Sequence, residues 1–262
     1  MVLSRTRAPR VVLLVTLLAL GSLAAGCGDD DGAGDASGSS ELIVSAAASL
    51  EPAFTAYADE AGIDAKQSFA GSDDLAAQIR QGVKPDLFAS ANTTYPEDLY
   101  KEDLVEKPVV FATNTLVLAV PEGSDIASLD DISTGDVTLA IGDKGVPVGD
   151  YTREVLARLP AAQSEAILGE VRSEEPDVTG IVGKLTQGAV DAGFVYITDV
   201  VATDGALKAI DLPADLQPDV AYGAAVVKGA NDPEGASSFI DGLLSGQGAE
   251  ALDEAGFGPP PK

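Results

Sequence analysis

Short apolar runs alternate with amphipathic segments from residue 41 onward, and this alternation predicts an α/β fold. In the first part of the chain the predicted strands are ELIVSA, DAKQSFA, DLFASA, PVVFAT and TLVLAV. The segments SLEPAFTAYADEAG, SDDLAAQIRQG and TTYPEDLYKEDL have the spacing of helices. Ser49 and Ser72 stand where the N-caps of two of these helices are expected.

A second series of the same kind follows. Predicted strands are VTLAIG, AGFVYI, LKAIDL and VAYGAAVVKG, and predicted helices are DYTREVLARL, AAQSEAIL, DVTGIVGKLTQG, DPEGASSFIDGLLS and GAEALDEAGF. Residues 75–90 and 181–196 each read as a helix, Gln-Gly, a short loop and a strand. We therefore expect two similar lobes joined by two crossings of the chain. Lobe I is predicted at 41–115 plus 221–262, and lobe II at 116–220.

The N-terminus has the pattern of a secretory signal. Three arginines precede an apolar run at 11–20 that is too short to span a bilayer, and small residues follow it. The segment closes with LAAGC, which resembles a lipobox, so residues 1–26 are predicted to be removed and Cys27 to be lipidated. The alternative is an ordinary signal peptide with an incidental cysteine. Because Cys27 is the only cysteine of the sequence, we favour the lipoprotein.

Residues 27–40 read as a flexible tether between this anchor and the folded body. After Cys27 the segment consists of Asp, Gly, Ser and Ala, a composition that cannot form a core. Three adjacent aspartates at 29–31 are also compatible with a metal site. In such a flexible segment they are better explained as a solvated run of charge.

Composition removes several classes of function. The chain has no histidine and one cysteine, which excludes Ser-His-Asp and Cys-His catalysis, histidine metal sites and an internal disulfide. It has 42 acidic and 16 basic residues, which disfavours binding to nucleic acid or anionic lipid. We therefore expect no enzyme, no cofactor and no cation site. A hydrolase or transferase that uses Tyr196 or a carboxylate is the enzymatic alternative.

Four predicted junctions between an extended segment and a helix carry small or apolar side chains and no Lys or Arg. The free N–H groups of a helix N-terminus and its dipole together form a site for an anion, and small side chains let the backbone approach it closely. The alternative for a single junction is that its serine merely caps its own helix. The junctions are Ala47–Leu50, Ala70–Asp74, Val146–Tyr151 and Pro176–Thr179.

In order and spacing, these junctions resemble the substrate-binding proteins of molybdate ABC importers. AAASL matches the family segment that supplies one serine ligand, here Ser49, and FAGSDDLAAQI matches the segment that supplies a second, here Ser72. PDLFASAN, NTLVLAVP and a late AGF match further family blocks, so the resemblance covers roughly residues 41–258.

For the second lobe the resemblance implies three more contacts. GDKGVPVGDYTREVL matches a segment in which a backbone amide, here that of Val148, contacts the oxyanion. DVTGIVGKLTQGAVDAGFVY would contribute the amide of Val178 and the hydroxyl of Tyr196. The family has the type II periplasmic-binding-protein fold, two α/β lobes with the ligand cleft between them, and we expect that fold here.

The chemistry of these groups agrees with the ligand that the resemblance implies. Hydroxyls and backbone amides can all donate hydrogen bonds, and molybdate and tungstate are fully deprotonated near neutral pH. Hydrogen phosphate carries a proton that a donor-only site leaves unpaired, at a cost of about 1–3 kcal/mol. Sulfate, phosphate or another tetrahedral oxyanion is the alternative. The reason is that Asp73 and Asp74 follow Ser72, and a carboxylate facing the cleft would repel a dianion or accept that proton.

The resemblance also implies the setting of the protein. We expect a monomeric, extracytoplasmic binding protein, at the outer face of the cell membrane or in the periplasm, attached only through the lipid on Cys27. It would deliver its anion to an ABC permease driven by an ATPase. A surface sensor without a transport role is the alternative. The tyrosines expected to pack or lie at the surface are Tyr57, Tyr95, Tyr100, Tyr151 and Tyr222.

Overall fold

The structure is a computed structural model that describes residues 41–134 and 136–261. The predicted signal peptide (1–26), the lipidation site Cys27 and the tether (27–40) lie outside the described residues. Within the described part of the chain, the strands form two separate sheets of five strands each.

Strands and helices follow one another largely in the order that the hydrophobic pattern predicts. The strands are β1 (Leu42–Ala47), β2 (Ala65–Ala70), β3 (Leu87–Ser90), β4 (Val109–Asn114), β5 (Leu116–Pro121), β6 (Leu139–Gly142), β7 (Val171–Glu175), β8 (Ala192–Tyr196), β9 (Leu207–Asp211) and β10 (Val220–Val226). The helices are α1 (Glu51–Ala61), α2 (Ser72–Arg80), α3 (Thr94–Lys101), α4 (Leu129–Ser133), α5 (Pro147–Arg158), α6 (Ala161–Gly169), α7 (Val178–Thr186), α8 (Ile197–Val201), α9 (Pro233–Leu244) and α10 (Gln247–Glu254). A 3₁₀ turn at Ala48–Leu50 leads into α1.

The two sheets have the same topology. The first has the order β2-β1-β3-β10-β4 and the second the order β7-β6-β8-β5-β9. In each, three parallel strands are followed by two strands with antiparallel pairing. The resembling segments 75–90 and 181–196 occupy equivalent places, because α2 precedes β3 and α7 precedes β8. The boundaries of the lobes at 115/116 and 220/221 stay a prediction.

Both sheets are covered by helices, as the long apolar runs of their central strands indicate. Leu116–Val120 of β5 is buried at every position, which is typical of a strand covered on both faces. Beside the first sheet, the ring of Phe54 in α1 packs against Phe239 of α9 and Phe111 of β4, with ring centroids 5.2 and 6.0 Å away. This packing holds α1, and with it the 3₁₀ turn before α1, against the sheet.

A buried carboxylate ties the start of β3 to two other elements. Asp86 has no exposed surface and accepts hydrogen bonds from the main-chain N–H groups of Ile43, Asn231 and Asp232, at 2.8, 2.6 and 2.9 Å. Three charge-assisted bonds offset the cost of burying this group. They connect β1 and β3 with the segment that leads into α9.

The structure adds elements that the sequence analysis lacks. β7 reads VRSEE, is an edge strand, and alternates between partly buried and exposed positions, so it has no apolar run. The short helices α4 and α8 have five residues each. Helix α5 starts at Pro147, three residues before its predicted start. Among the described residues, no helix is both long enough and apolar enough to cross a membrane.

Candidate functional site

Segments from both sheets meet at one narrow cleft. The cleft contains about 220 Å³ of space free of protein atoms, part of it open to solvent. All four predicted junctions contribute to its lining. The lining also contains all five residues predicted as ligands, Ser49, Ser72, Val148, Val178 and Tyr196. The structure therefore brings these residues together, while their contact with a ligand stays a prediction.

Ser49 lies in the 3₁₀ turn between β1 and α1, where it is 5% exposed. The prediction that it caps α1 is wrong, because the N-cap position is occupied by Leu50 and the described structure shows no side-chain cap there. Its Oγ lies 2.9 Å from Oη of Tyr222, a buried residue of β10. The hydroxyl therefore contacts Tyr222 at the lining of the cleft and does not cap its own helix.

Ser72 is the first residue of α2 and is 1% exposed. The prediction that it is an N-cap is also wrong, since Gly71 holds that position. The Ala91 N–H donates to Ser72 Oγ at 3.0 Å. Because a backbone N–H can only donate, the Ser72 oxygen is the acceptor and its own hydrogen is free for a group in the cleft.

Helix α5 begins at the cleft with Pro147 and Val148. Proline has no N–H, so the amide of Val148 is the first that this helix can offer. The first main-chain bond within the helix is donated by Asp150 to the Val146 carbonyl. The Val148 amide therefore has no partner inside the helix and lies at the positive end of the helix dipole.

Helix α7 begins at the cleft in the same way. Its N-cap is Asp177, whose carboxylate accepts the Gly180 N–H at 3.0 Å. This cap uses the third amide of the helix and leaves the first amide, that of Val178, for another acceptor. The sequence motif DVTG thus places an acidic N-cap and a free amide side by side.

Tyr196 closes β8 and is 1% exposed. Within the described part of the chain, its Oη has no hydrogen-bond partner. Burial, with smaller contributions from Tyr222 and Tyr151, raises the pKa of Tyr196 well above its usual value, so the hydroxyl keeps its hydrogen. A buried hydroxyl without a partner costs about 1–3 kcal/mol, and a ligand that accepts its hydrogen bond removes that cost.

The two aspartates after Ser72 do not line the cleft. Asp74 is exposed, whereas Asp73 is partly buried and its Oδ1 has no hydrogen-bond partner among the described residues. Burial raises the pKa of Asp73, the main-chain N–H groups of Asp73 and Asp74 oppose this, and the charges of Asp74 and Asp150 add to it. Neither carboxylate is therefore part of the cleft lining, although Asp73 Oδ1 lies close to Gly71, which is.

The cleft is bridged by direct contacts between its two sides. Tyr95 of α3 donates from Oη to the Gly145 carbonyl at 2.6 Å, a connection between the first sheet's helices and the loop after β6. Burial, Asp73 and Asp150 raise the pKa of Tyr95 to about 12, so this donor stays protonated. A Cβ at Gly71 would overlap the Pro176 carbonyl oxygen. The two sides of the cleft are thus in close contact.

Two residues with a role near the cleft were missed by the sequence analysis, which expected both to pack or lie at the surface. Tyr95 bridges the cleft and Tyr222 supports Ser49. Neither has a local signal in the sequence. Their contacts join positions 50 and 173 residues apart, and only the pairing of the strands brings them together.

The arrangement suits one kind of ligand chemistry. Hydroxyls and free amides converge from several helix starts, and the described lining contains no Lys or Arg. No cluster of three or more Cys, Asp or Glu able to hold a metal ion occurs among the described residues. A small anion is the partner that helix N-termini and neutral donors prefer.

The fold and the cleft define a two-lobed binding protein for a small solute. Residues 42–258 match the family model of bacterial extracellular solute-binding proteins, and the chain belongs to this family. The predicted type II periplasmic-binding-protein fold, with its cleft between two α/β lobes, is confirmed.

Individual relatives are similar over most of the chain. The molybdate-binding protein ModA of Mycobacterium tuberculosis is 31% identical over 236 residues, which cover 87% of this chain and 88% of that protein. The Azotobacter vinelandii periplasmic molybdate-binding protein superposes with a TM-score of 0.74 at 21% identity, covering 84% of this chain and all of that one. The sulfate-binding protein SubI of M. tuberculosis gives 0.73 at 17% identity, covering 84% and 86%. The two structures show the fold and do not distinguish between anions.

Asp199 holds the main chain of Tyr196 in place. Its carboxylate accepts the Tyr196 N–H at 2.9 Å at the start of α8. Burial raises the pKa of Asp199 to about 7, although this hydrogen bond opposes the shift, and the charge of Asp177 adds to it. Between about pH 4 and pH 7 the folded chain therefore holds a proton on Asp199 that the unfolded chain has already released.

We predict that Asp199→Asn stabilises the fold at pH 8. The pKa of Asp199 is raised in the folded state, so the stability linked to its neutral form is complete below about pH 4 and is lost as the pH rises to about 7. Asn keeps an acceptor for the Tyr196 N–H without the charge. The difference in free energy of unfolding between variant and wild type should grow from pH 4 to pH 7 and then level off.

Urea unfolding between pH 4.5 and 8.5 measures this difference. The control is Glu165→Gln, which removes one charge at an exposed position of α6. A difference for Asp199→Asn that does not change with pH would contradict the assignment.

Proposed function

We propose that this chain captures molybdate or tungstate outside the cytoplasm and delivers the anion to an ABC permease. The observation that carries the proposal is the convergence of unpartnered donors on a cleft of about 220 Å³, above all the buried hydroxyl of Tyr196. The 31% identical relative named for molybdate binding supports the same ligand.

The proposed ligand contacts come from five residues. Two are hydroxyls at the first sheet's helix starts, two are first amides of helices beside the second sheet, and one is the tyrosine hydroxyl between them. They are Ser49, Ser72, Val148, Val178 and Tyr196. Their charge-assisted bonds to a dianion, with the helix dipoles behind them, take the place of a cationic side chain.

The donor set favours oxyanions that carry no proton. Molybdate, tungstate and sulfate meet this condition, whereas hydrogen phosphate needs an acceptor. Asp177 also lines the cleft, where its Oδ1 accepts the Gly180 N–H as the N-cap of α7. We propose that this cap keeps the carboxylate turned to its own helix rather than to the anion. The choice of molybdate over sulfate rests on the relatives that are named for molybdate binding.

The setting follows from the family and the N-terminus. The family consists of extracellular solute-binding proteins, which agrees with an extracytoplasmic location. A lipid on Cys27 and a tether at 27–40 would hold the monomeric binding lobes near the membrane. The permease and its ATPase would be separate proteins.

Thermal unfolding with a panel of anions tests the proposed ligand. A ligand at 100 times its dissociation constant stabilises the folded state by about 2.7 kcal/mol. Millimolar molybdate and tungstate should raise the melting temperature by several degrees. Phosphate at the same concentration should leave it within a degree of the ligand-free value. Unchanged melting with both metal oxyanions would refute the assignment, and a shift with sulfate alone would move it to the alternative ligand.

Closure of the lobes is part of the proposed capture. The bond from Tyr95 to Gly145 exists only while the two sides of the cleft touch, so it favours the closed form that retains the anion. Tyr95→Phe removes this bond and keeps the ring. We expect the closed form to lose about 0.5–1.5 kcal/mol, and the dissociation constant for molybdate to rise roughly 2- to 12-fold.

Stopped-flow release of molybdate measures the effect, which should appear mainly as faster dissociation. The control is Tyr100→Phe, a change at an exposed tyrosine later in the same helix. Equal dissociation rates for Tyr95→Phe and wild type would show that the bond does not hold the cleft closed.

A further inference from the structure

A series of hydrogen bonds runs from the main chain at Thr115 to Ser49. The Thr115 N–H donates to Asn114 Oδ1 at 2.8 Å, and Asn114 Nδ2 lies 3.3 Å from Tyr222 Oη. Tyr222 Oη in turn lies 2.9 Å from Ser49 Oγ. The series starts at the end of β4, where the chain leaves the first sheet, and ends in the cleft.

The first bond fixes the direction of the next. A backbone N–H can only donate, so the atom of Asn114 that faces Thr115 is the carbonyl oxygen and the other is the amide nitrogen. This nitrogen carries two hydrogens, and it also donates to Thr198 Oγ1 at 3.0 Å. The second hydrogen is therefore available for Tyr222, whose oxygen is the acceptor.

The acceptor for the hydrogen of the Tyr222 hydroxyl is then Ser49 Oγ. Tyr222 has no exposed surface, and burial raises its pKa well above the usual value, so it keeps this hydrogen. Among the described residues, Asn114 Nδ2 and Ser49 Oγ are the groups with hydrogen-bond geometry to Tyr222 Oη, whereas the hydroxyl of the neighbouring Tyr196 does not reach that geometry. A buried O–H that donates to nothing is costly, so Tyr222 donates to Ser49.

Ser49 is left with one lone pair of its oxygen occupied and its hydrogen free. Because its side chain lines the cleft, that hydrogen can turn to a ligand. Ser72 has an equivalent contact, because its Oγ accepts a hydrogen bond from the Ala91 N–H. Each serine thus has one lone pair occupied by a donor behind it and its hydrogen free for the cleft, through a main-chain amide at Ser72 and through Tyr222 at Ser49.

We propose that Tyr222, oriented by Asn114, is a positioning residue that directs the Ser49 hydroxyl hydrogen into the cleft and so biases the cleft toward oxyanions without a proton. Without Tyr222 Oη the Ser49 hydroxyl can rotate, and both of its lone pairs can accept from a protonated anion. With it, one lone pair is occupied and the hydrogen is left for the ligand. The inference rests on the proposed function, because it needs an oxyanion in the cleft.

Calorimetric titration of the full chain with molybdate, and competition by inorganic phosphate at pH 8, test this role. For Tyr222→Phe we expect weaker molybdate binding and better competition by hydrogen phosphate. The selectivity ratio, defined as the dissociation constant for phosphate divided by that for molybdate, should fall at least about tenfold. Tyr57→Phe is the matched control, since Tyr57 is a buried tyrosine that packs on Phe239 away from the cleft, and its ratio should equal that of wild type.

Two further variants separate this role from simple packing. If Tyr222 acts through Ser49, adding Tyr222→Phe to Ser49→Ala should change molybdate affinity less than about twofold. Asn114→Asp keeps the acceptor for Thr115 but turns the donor toward Tyr222 into an acceptor, so the ratio should fall here too. The charge that Asp adds repels molybdate and hydrogen phosphate alike, so it does not by itself change the ratio. If Tyr222→Phe does not fold, Asn114→Asp is the variant that tests the role of Tyr222.

The outcomes distinguish this inference from the proposed function. Wild type that does not bind molybdate refutes the proposed function, and this inference with it. Wild type that binds molybdate while both variants keep its ratio overturns the inference alone. An effect of Tyr222→Phe that is equally large with and without Ser49 also overturns it, because Tyr222 then acts independently of the serine.

Discussion

Helix starts that offer unpartnered hydrogen-bond donors determine the form of the cleft, and donors alone can hold a doubly charged anion that carries no proton. Donors without cations come from helix starts, where the first amides have no partner and the dipole is positive. Helices α2, α5 and α7 all begin at the cleft. Small side chains such as Ala48 and Ala70 leave the space that lets these starts approach one anion.

The topology of the two sheets supplies these helix starts in matching places. In each sheet the parallel strands end toward the cleft, which is where open α/β sheets bind ligands. The antiparallel strand β10 then returns to the first sheet and carries Tyr222 to a position beside Ser49. The same strand that completes the sheet therefore also places a tyrosine hydroxyl beside a serine of the cleft lining.

Much of the fold and of the site was predictable because its signals are local. Apolar runs mark the strands, and small residues before a helix mark Ser49 and Ser72. The edge strand β7 escaped prediction because VRSEE has no apolar run. The exact first residue of a helix depends on the geometry of the preceding turn, which the hydrophobic pattern does not contain. Both predicted N-caps were therefore wrong, since Leu50 and Gly71 hold these positions. The roles of Tyr95 and Tyr222 depend on contacts between distant segments, which no short sequence window contains.

A crystal structure of the complex with molybdate would show the proposed ligand contacts themselves. We expect oxyanion oxygens within about 3.2 Å of the Ser49, Ser72 and Tyr196 hydroxyls and the Val148 and Val178 amides. We expect no carboxylate or carbonyl oxygen in contact with the anion. An anion bound elsewhere, or one that faces the Asp73 or Asp177 carboxylate inside this cleft, would contradict the proposed contacts.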